Sequence, residues 1–265
     1  MKRLRIDVKD MSCSHTVDKT PPAKLDVNHC HSNYEILYVV EGQGTYFIEG
    51  STYPIEPGSL IIIRPFEYHG INVREDMPYE RFVLHFSESS IVEDAANLLS
   101  GFAGDNGASG KYFSPQHISP GIATLFERFE SLPSIPDTER RVYMKMLFSE
   151  LIVLLSVSRG ERMEHDNVEL GARVIKYLNE NITKNISLDK LARRFFVSKY
   201  YLCRAFKKHN GISVHGYINK KRVMYAKQLI DSGETASGAA YKVGFGDYSA
   251  FYRAYVKIIG KAPTA

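Results

Sequence analysis

Between residues 29 and 69 the chain sets out side chains that can do chemistry together. His29, His31 and Glu35 fall at His-x-His-x3-Glu, and His69 follows later. Alternate residues of a strand share a face, so His29 and His31 would present their imidazoles together. Glu35 and His69 could meet them inside a barrel. Three imidazoles and a carboxylate can ligate a divalent ion such as Zn, Fe, Mn or Ni. The same groups can instead hold an organic ligand, or hydrogen-bond one another in a metal-free core. His85 is a further candidate, although a single histidine on a strand is commonly a satisfied core group. A second constellation lies near the C-terminus. Arg204 and Arg253 each follow a capping residue, Ser198 or Asp247, by six positions. A guanidinium offers paired donors that suit a phosphate or a planar pair of acceptors on a partner. Either arginine could instead pair with a neighbouring carboxylate.

The elements that must position these groups follow from pattern. From about Asn33 to Phe86 the chain reads as short strands between Gly/Pro turns, at 34–40, 45–48, 52–55, 60–63 and 81–86. That grammar predicts an antiparallel sandwich or barrel. Tyr34, Tyr38, Tyr46, Tyr53 and Tyr68 crowd this region. They would either line a site for a small polar ligand such as a sugar or fill an ordinary core; Tyr38 and Tyr46 are assigned to the ligand. Next come a short helix at 91–100, a loop at 101–110 and a helix at 120–132. A longer helix should run from Asp137 or Thr138 to about Arg159. Its apolar positions are Val142, Met146, Phe148, Ile152 and Leu155, broadened by Leu147, Leu151 and Leu154. One neighbour rarely covers so wide a stripe. Part of it should face a second subunit, and a charge at Leu151 should split that dimer.

The formal net charge of +4 hides an asymmetry. Residues 167–265 hold 18 Lys/Arg against 6 Asp/Glu (+12), while residues 1–166 hold 16 against 24 (−8). A basic part behind an acidic part suggests two jobs, with a polyanion as partner of the second. No apolar run approaches the roughly 18 residues that a membrane helix needs. Met1-Lys2-Arg3-Leu4-Arg5-Ile6-Asp7 leads into no apolar signal segment. Three scattered cysteines argue against a disulfide framework and for a reducing cytoplasm.

The basic part contains a repeat. Ser198-x5-Arg204-x-Phe206-x-Lys208-x2-Gly211 recurs 49 residues later as Asp247-x5-Arg253-x-Tyr255-x-Lys257-x2-Gly260. Short helices carrying Leu191-Ala192 and Ala239-Ala240 precede the two copies. Each unit is a short helix, a tight turn and a capped second helix, which is helix-turn-helix grammar. Leu202, Phe206, Phe251 and Tyr255 would be core. Lys199, Tyr200, Cys203, Arg204 and Lys207 are left on one exposed face. Tyr248, Ser249, Tyr252, Arg253 and Val256 are left on the other.

Two such units joined by one long helix resemble the DNA-binding domain of the AraC/XylS family of transcription regulators. The resemblance covers about residues 168–265. It is strongest over Ala239-Ala240-Tyr241-Lys242-Val243-Gly244-Phe245-Gly246-Asp247-Tyr248-Ser249-Ala250-Phe251-Tyr252-Arg253, and Tyr217, Arg222, Ala226 and Leu229 fit the connecting helix. It implies that each second helix enters the major groove, about one DNA turn apart. Ser198 and Asp247 would aim helix N-termini at phosphates. Lys199, Lys207, Lys208, Lys220, Lys221 and Lys257 would neutralise phosphates. Arg204 and Arg253 fall at the family's base-reading positions, with Tyr200, Cys203, Tyr248, Ser249 and Tyr252 at other contact positions. His-x-His-x3-Glu-x6-Gly, ending at Gly42, resembles the first motif of the cupin barrels. Gly58 and His69 fit the second motif, although Arg64 stands where its Pro belongs and Phe66 where its Gly belongs. AraC-type regulators often carry such a barrel as their sensor.

The expected architecture is multidomain α+β. Residues 1–159 would form a cupin-like β-barrel with dimerisation helices, and 160–167 a linker. Residues 168–265 would form an all-α DNA-binding domain. Its helix-turn-helix units fall at about 187–211 and 237–260, joined by a helix at 213–230. The expected function is a ligand-responsive activator, a cytoplasmic homodimer. It would bind double-stranded promoter DNA, a small effector and RNA polymerase, with no membrane partner and no catalysis. One rival is a metal-dependent cupin enzyme or metal sensor with a DNA-binding appendage. Another is an architectural DNA-binding module whose barrel only dimerises. The duplicated motif argues against the enzyme, which needs no second copy.

Overall fold

In the computed structural model, which describes residues 2–22, 24–102, 111–158 and 170–264, strands dominate the first third of the chain and helices the rest. The strands are β1 (Lys2–Val8), β2 (Met11–Asp18), β3 (Lys24–His29), β4 (Tyr34–Glu41), β5 (Gly44–Ile48), β6 (Ser51–Ile55), β7 (Leu60–Ile63), β8 (His69–Val73), β9 (Tyr79–Phe86) and β10 (Tyr112–Phe113). They form a six-stranded sheet, β1-β2-β9-β4-β7-β10, and a four-stranded sheet, β3-β8-β5-β6. Contacts divide the chain into two units. One takes Met1–His29, Asn33–Ile48 and Thr52–Glu164; the other takes Cys30–Ser32, Glu49–Ser51 and His165–Ala265.

The six-stranded sheet is apolar on both faces, and the period-2 alternation of strands divides its residues between two cores. Leu37, Val39, Ile61 and Ile63 pack with Tyr46, Ile48, Tyr53 and Ile71 between the sheets. Ile36, Leu60, Ile62, Phe82, Leu84 and Phe86 face the other way, toward helices. This is why all four residues of β7 are buried. The helices are α1 (Glu93–Leu98), α2 (Gly121–Glu130) and α3 (Asp137–Val157). α2 presents Ile122, Leu125, Phe126 and Phe129 to that face.

Strands β1 to β3 lie ahead of the stretch from Asn33 to Phe86 whose pattern predicts strands. β2 carries a period-2 signal, with Met11, Cys13 and His15 buried and Ser12 and Ser14 half-buried. Its outward residues are small and polar, so it lacks the β-branched texture that marks β4. α3 also corrects an expectation. Leu151 is fully buried in the core with Met144, Leu147, Phe148, Ile152 and Leu155. The residues left exposed are Val142, Met146, Val153 and Val157. At 100° per residue these four lie within about 60° of arc.

The second unit holds α4 (Leu170–Glu180), α5 (Leu188–Arg194), α6 (Lys199–Asn210), α7 (Val214–Asp231), α8 (Ala236–Lys242) and α9 (Tyr248–Ile259). Ser187, Ser198, Ser213, Thr235 and Asp247 each accept a backbone N–H at a helix start. Gly211 and Gly260, both left-handed, end α6 and α9. Ala239, Ala240, Phe251 and Tyr255 pack against Val223, Ala226 and Ile230 of α7. Arg222 on α7 ties two loops together. Its guanidinium donates to the Ile182 carbonyl at 2.8 Å, the Gly244 carbonyl at 2.7 Å and the Lys184 carbonyl at 2.6 Å. Gly244 has φ +94, and a Cβ there would lie 2.3 Å from the Thr183 carbonyl oxygen. The expected linker at 160–167, the loop residues 103–110 and the first two residues of the helix expected from Val168 lie outside the described residues.

Candidate effector pocket and DNA interface

Register brings the polar groups of the barrel together. Glu35 on β4 is the direct cross-strand partner of His85 on β9, and His69 on β8 pairs with His29 on β3. The buried Glu35 carboxylate accepts from the Tyr46 hydroxyl at 3.0 Å and from His85 Nε2 at 3.0 Å. His69 Nε2 lies 3.6 Å from the same carboxylate. His69 Nδ1 donates to the Glu67 carbonyl at 2.8 Å, which fixes the ring and leaves Nε2 toward Glu35. Burial disfavours charge on His69. The hydrogen bond and charge of Glu35, with the Glu67 carbonyl, outweigh it and hold the pKa above that of an ordinary histidine. The His29 and His69 rings lie 4.4 Å apart. One donor atom from each of His29, His31, Glu35 and His69 falls within 4.8 Å of the others.

A cavity of about 150 Å³ opens onto His29, Glu35 and His69 of this cluster, and His31, expected to bind the ligand, is not in its lining. Its polar lining is His29, Glu35, Tyr46, His69, Tyr79, Arg81 and His85, and Leu37, Ile71 and Val83 supply apolar wall. Tyr38 is not part of it. Alternation along β4 turns Tyr38 to the helix side, where it stacks on Phe126 at 4.3 Å. Sequence reasoning missed Arg81. Its signal was period 2 on β9, since Arg81, Val83 and His85 share one face. Phe66, which stands where the second motif has Gly, takes a left-handed backbone, φ 65, a conformation that glycine adopts freely. Its ring is 4% exposed, so burial offsets the strain.

In the other unit, Ser198 accepts the Tyr201 N–H at 3.2 Å and Asp247 the Ala250 N–H at 2.7 Å. Lys199, Tyr200, Arg204, Lys207 and Lys208 are exposed on α6, and Cys203 is half-buried. Tyr248, Ser249, Tyr252, Arg253 and Lys257 are exposed on α9. Among the described residues Lys199 pairs with Asp189 at 3.2 Å. Lys221 departs from the expected phosphate contacts. It is 3% exposed, because α7 turns that position inward.

A barrel with a buried polar pocket, carried on one chain with two capped basic helix-turn-helix units, defines a ligand-responsive transcription regulator. The family of AraC-like ligand binding domains matches residues 24–143, and a helix-turn-helix domain family matches residues 191–265. The chain thus carries both the ligand-binding domain and the helix-turn-helix domain that its resemblance to the AraC/XylS regulators implies. It is 26% identical to the HTH-type transcriptional activator RhaS of Klebsiella pneumoniae (strain 342) over 238 residues, 87% of this chain and 83% of that protein. It is 27% identical to the uncharacterized HTH-type transcriptional regulator YbfI of Bacillus subtilis (strain 168), over 84% of this chain and 80% of that one. Among solved structures, ToxT from Vibrio cholerae is similar at 15% identity and a TM-score of 0.40, covering 96% of this chain and 97% of that one. The N-terminal domain is the effector-binding domain and the C-terminal domain binds DNA. Among the described residues, no helix is long and apolar enough to cross a membrane.

Proposed function

We propose that this chain is a homodimeric, cytoplasmic transcription activator without catalytic activity. It binds a small polar effector, a sugar or a related metabolite, at Glu35 and its neighbours. It reads two adjacent major-groove segments of a promoter through α6 and α9, and RNA polymerase is its downstream partner. Residues 1–159 sense and dimerise, 160–167 link, and 168–265 bind DNA. The observation that carries the effector site is the buried Glu35 carboxylate, with Tyr46, His69, His85 and Arg81 converging on one cavity. A few convergent polar groups against apolar wall suit a hydroxylated ligand. The exposed faces of α6 and α9 support the DNA site. Arg204 and Arg253 make no ion pair among the described residues, so both guanidinium groups are available to bases. That relatives over most of the chain are named transcriptional activators supports activation. The exposed strip Val142, Met146, Val153 and Val157 supports a dimer. Thermal melting against a sugar and metabolite panel tests the effector reading. One compound should raise Tm in the parent and not in Glu35→Gln; a panel member that stabilises both equally contradicts the assignment.

A second reading gives the pocket a divalent ion, on the observation that His29, His31, Glu35 and His69 bring donors within 4.8 Å. The donor set fits: three imidazoles and a carboxylate suit Zn, Fe, Mn or Ni. The His69 Nδ1 bond to the Glu67 carbonyl is the outer support that metal-binding histidines commonly have. A metal there would supply a Lewis-acidic point for gripping an effector oxygen. Elemental mass spectrometry of protein purified without chelator or affinity metal tests it. About one ion per chain, lost in His31→Ala, supports this reading; absence of metal leaves an organic effector alone.

A further inference from the structure

The two helix-turn-helix units make the same turn with different residues. After α5 the Phe196 N–H donates to the Arg193 carbonyl at 3.2 Å, and the Val197 N–H to the Ala192 carbonyl at 3.1 Å. After α8 the Gly244 N–H donates to the Tyr241 carbonyl at 3.0 Å, and the Phe245 N–H to the Ala240 carbonyl at 3.1 Å. Phe196 and Gly244 are therefore equivalent. Both backbones are left-handed, with φ 55 and φ 94. Glycine adopts that conformation freely, whereas a side chain with a Cβ is strained in it. Phe66 shares the strain, but its buried ring offsets it. The Phe196 ring is 95% exposed, so burial within this chain offsets neither the strain nor the exposed aromatic surface. The combination costs stability and points to a partner that covers the ring.

Position and charge say which partner. Phe196 stands two residues before Ser198, the N-cap of α6, and Tyr200 just beyond it is 75% exposed. From Leu188 to Asn210 the chain carries seven Lys/Arg and one acid, Asp189. An aromatic ring set in so basic a surface fits a polyanion that also offers apolar contact. In duplex DNA the thymine 5-methyl group supplies that contact in the major groove. We propose that Phe196 is a specificity-determining residue, whose ring at the leading edge of α6 meets a thymine methyl. This rests on the DNA-binding reading above.

The test starts from the full chain and a random duplex library, from which it selects its preferred site. Each thymine of that site is then replaced singly by uracil, which removes only the methyl group. Uracil at one or two positions should weaken the parent about fourfold, the worth of one buried methyl. Phe196→Gly and Phe196→Asn should lose about the same factor on the thymine site and show no further uracil penalty there. Their salt slope should match that of the parent, since no charge is removed. Their Tm should equal or exceed that of the parent, because glycine and asparagine relieve the left-handed strain. Stability and affinity moving in opposite directions is a result that a merely structural Phe196 cannot give. Equal penalties for uracil in parent and variants overturn the proposal. So does unchanged DNA affinity with lowered transcription in vitro, which would assign the ring to a protein partner. A parent that selects no sequence overturns the DNA-binding reading itself.

Discussion

At Glu35 donors from three strands converge: Tyr46 from β5, His69 from β8 and His85 from β9. Replacing the carboxylate with an amide keeps the volume and removes the charge that these donors share. Glu35→Gln should lower stability by about 1–3 kcal/mol, read by chemical denaturation, and should abolish the effector-induced rise in Tm. At the DNA face, Arg204→Ala and Arg253→Ala should each relax preference at one base step by about 1–3 kcal/mol. Lys207→Ala should instead weaken all sequences alike and lower the salt slope by about one. Competition binding across a set of single-base variants separates the two patterns, and arginine variants that keep full preference would refute the base-reading assignment. His29, His31, Glu35 and His69 were legible as a spacing within some 40 residues. Arg81 and the role of His85 were not, because they depend on a β4–β9 register that pairs Glu35 with His85 and Val39 with Arg81, 50 and 42 residues apart in sequence. Tyr38 was misread for a related reason: period 2 separates it from Glu35, but composition alone did not say which face held the pocket.

Helices were the easiest elements to read, since their caps are local chemistry. Ser198 and Asp247 fall as N-caps where the sequence places them. The faces of α3 were harder. A wide apolar stripe was visible, but only the packing shows that Leu151 is core and that Val142, Met146, Val153 and Val157 are exposed. The dimer test therefore moves. Met146→Glu with Val153→Glu should halve the mass in sedimentation and leave Tm nearly unchanged. Leu151→Ala should cost about 2–5 kcal/mol through a core cavity. Unchanged mass in the double variant would remove α3 from the interface. Arg222 holds three backbone carbonyls between the loop after α4 and the turn after α8. Arg222→Ala leaves those carbonyls unpaired and should cost about 2 kcal/mol or more. Both helix-turn-helix units would then dock less firmly on α7, and the cost should appear as faster amide exchange at the Gly244 turn.

Regulation by the whole molecule needs a coupling free energy between pocket and DNA, and such coupling is reciprocal. An effector that binds both DNA-competent and incompetent states equally shifts nothing, however tightly it binds. The central claim is that occupancy at Glu35 changes DNA affinity. The most direct measurement is fluorescence anisotropy of the selected duplex with the full chain, with and without the metabolite that raises Tm through Glu35. The account predicts a change in Kd of about fivefold or more in the parent and none in Glu35→Gln. A metabolite that binds through Glu35 and leaves the parent's Kd for DNA unchanged would contradict it.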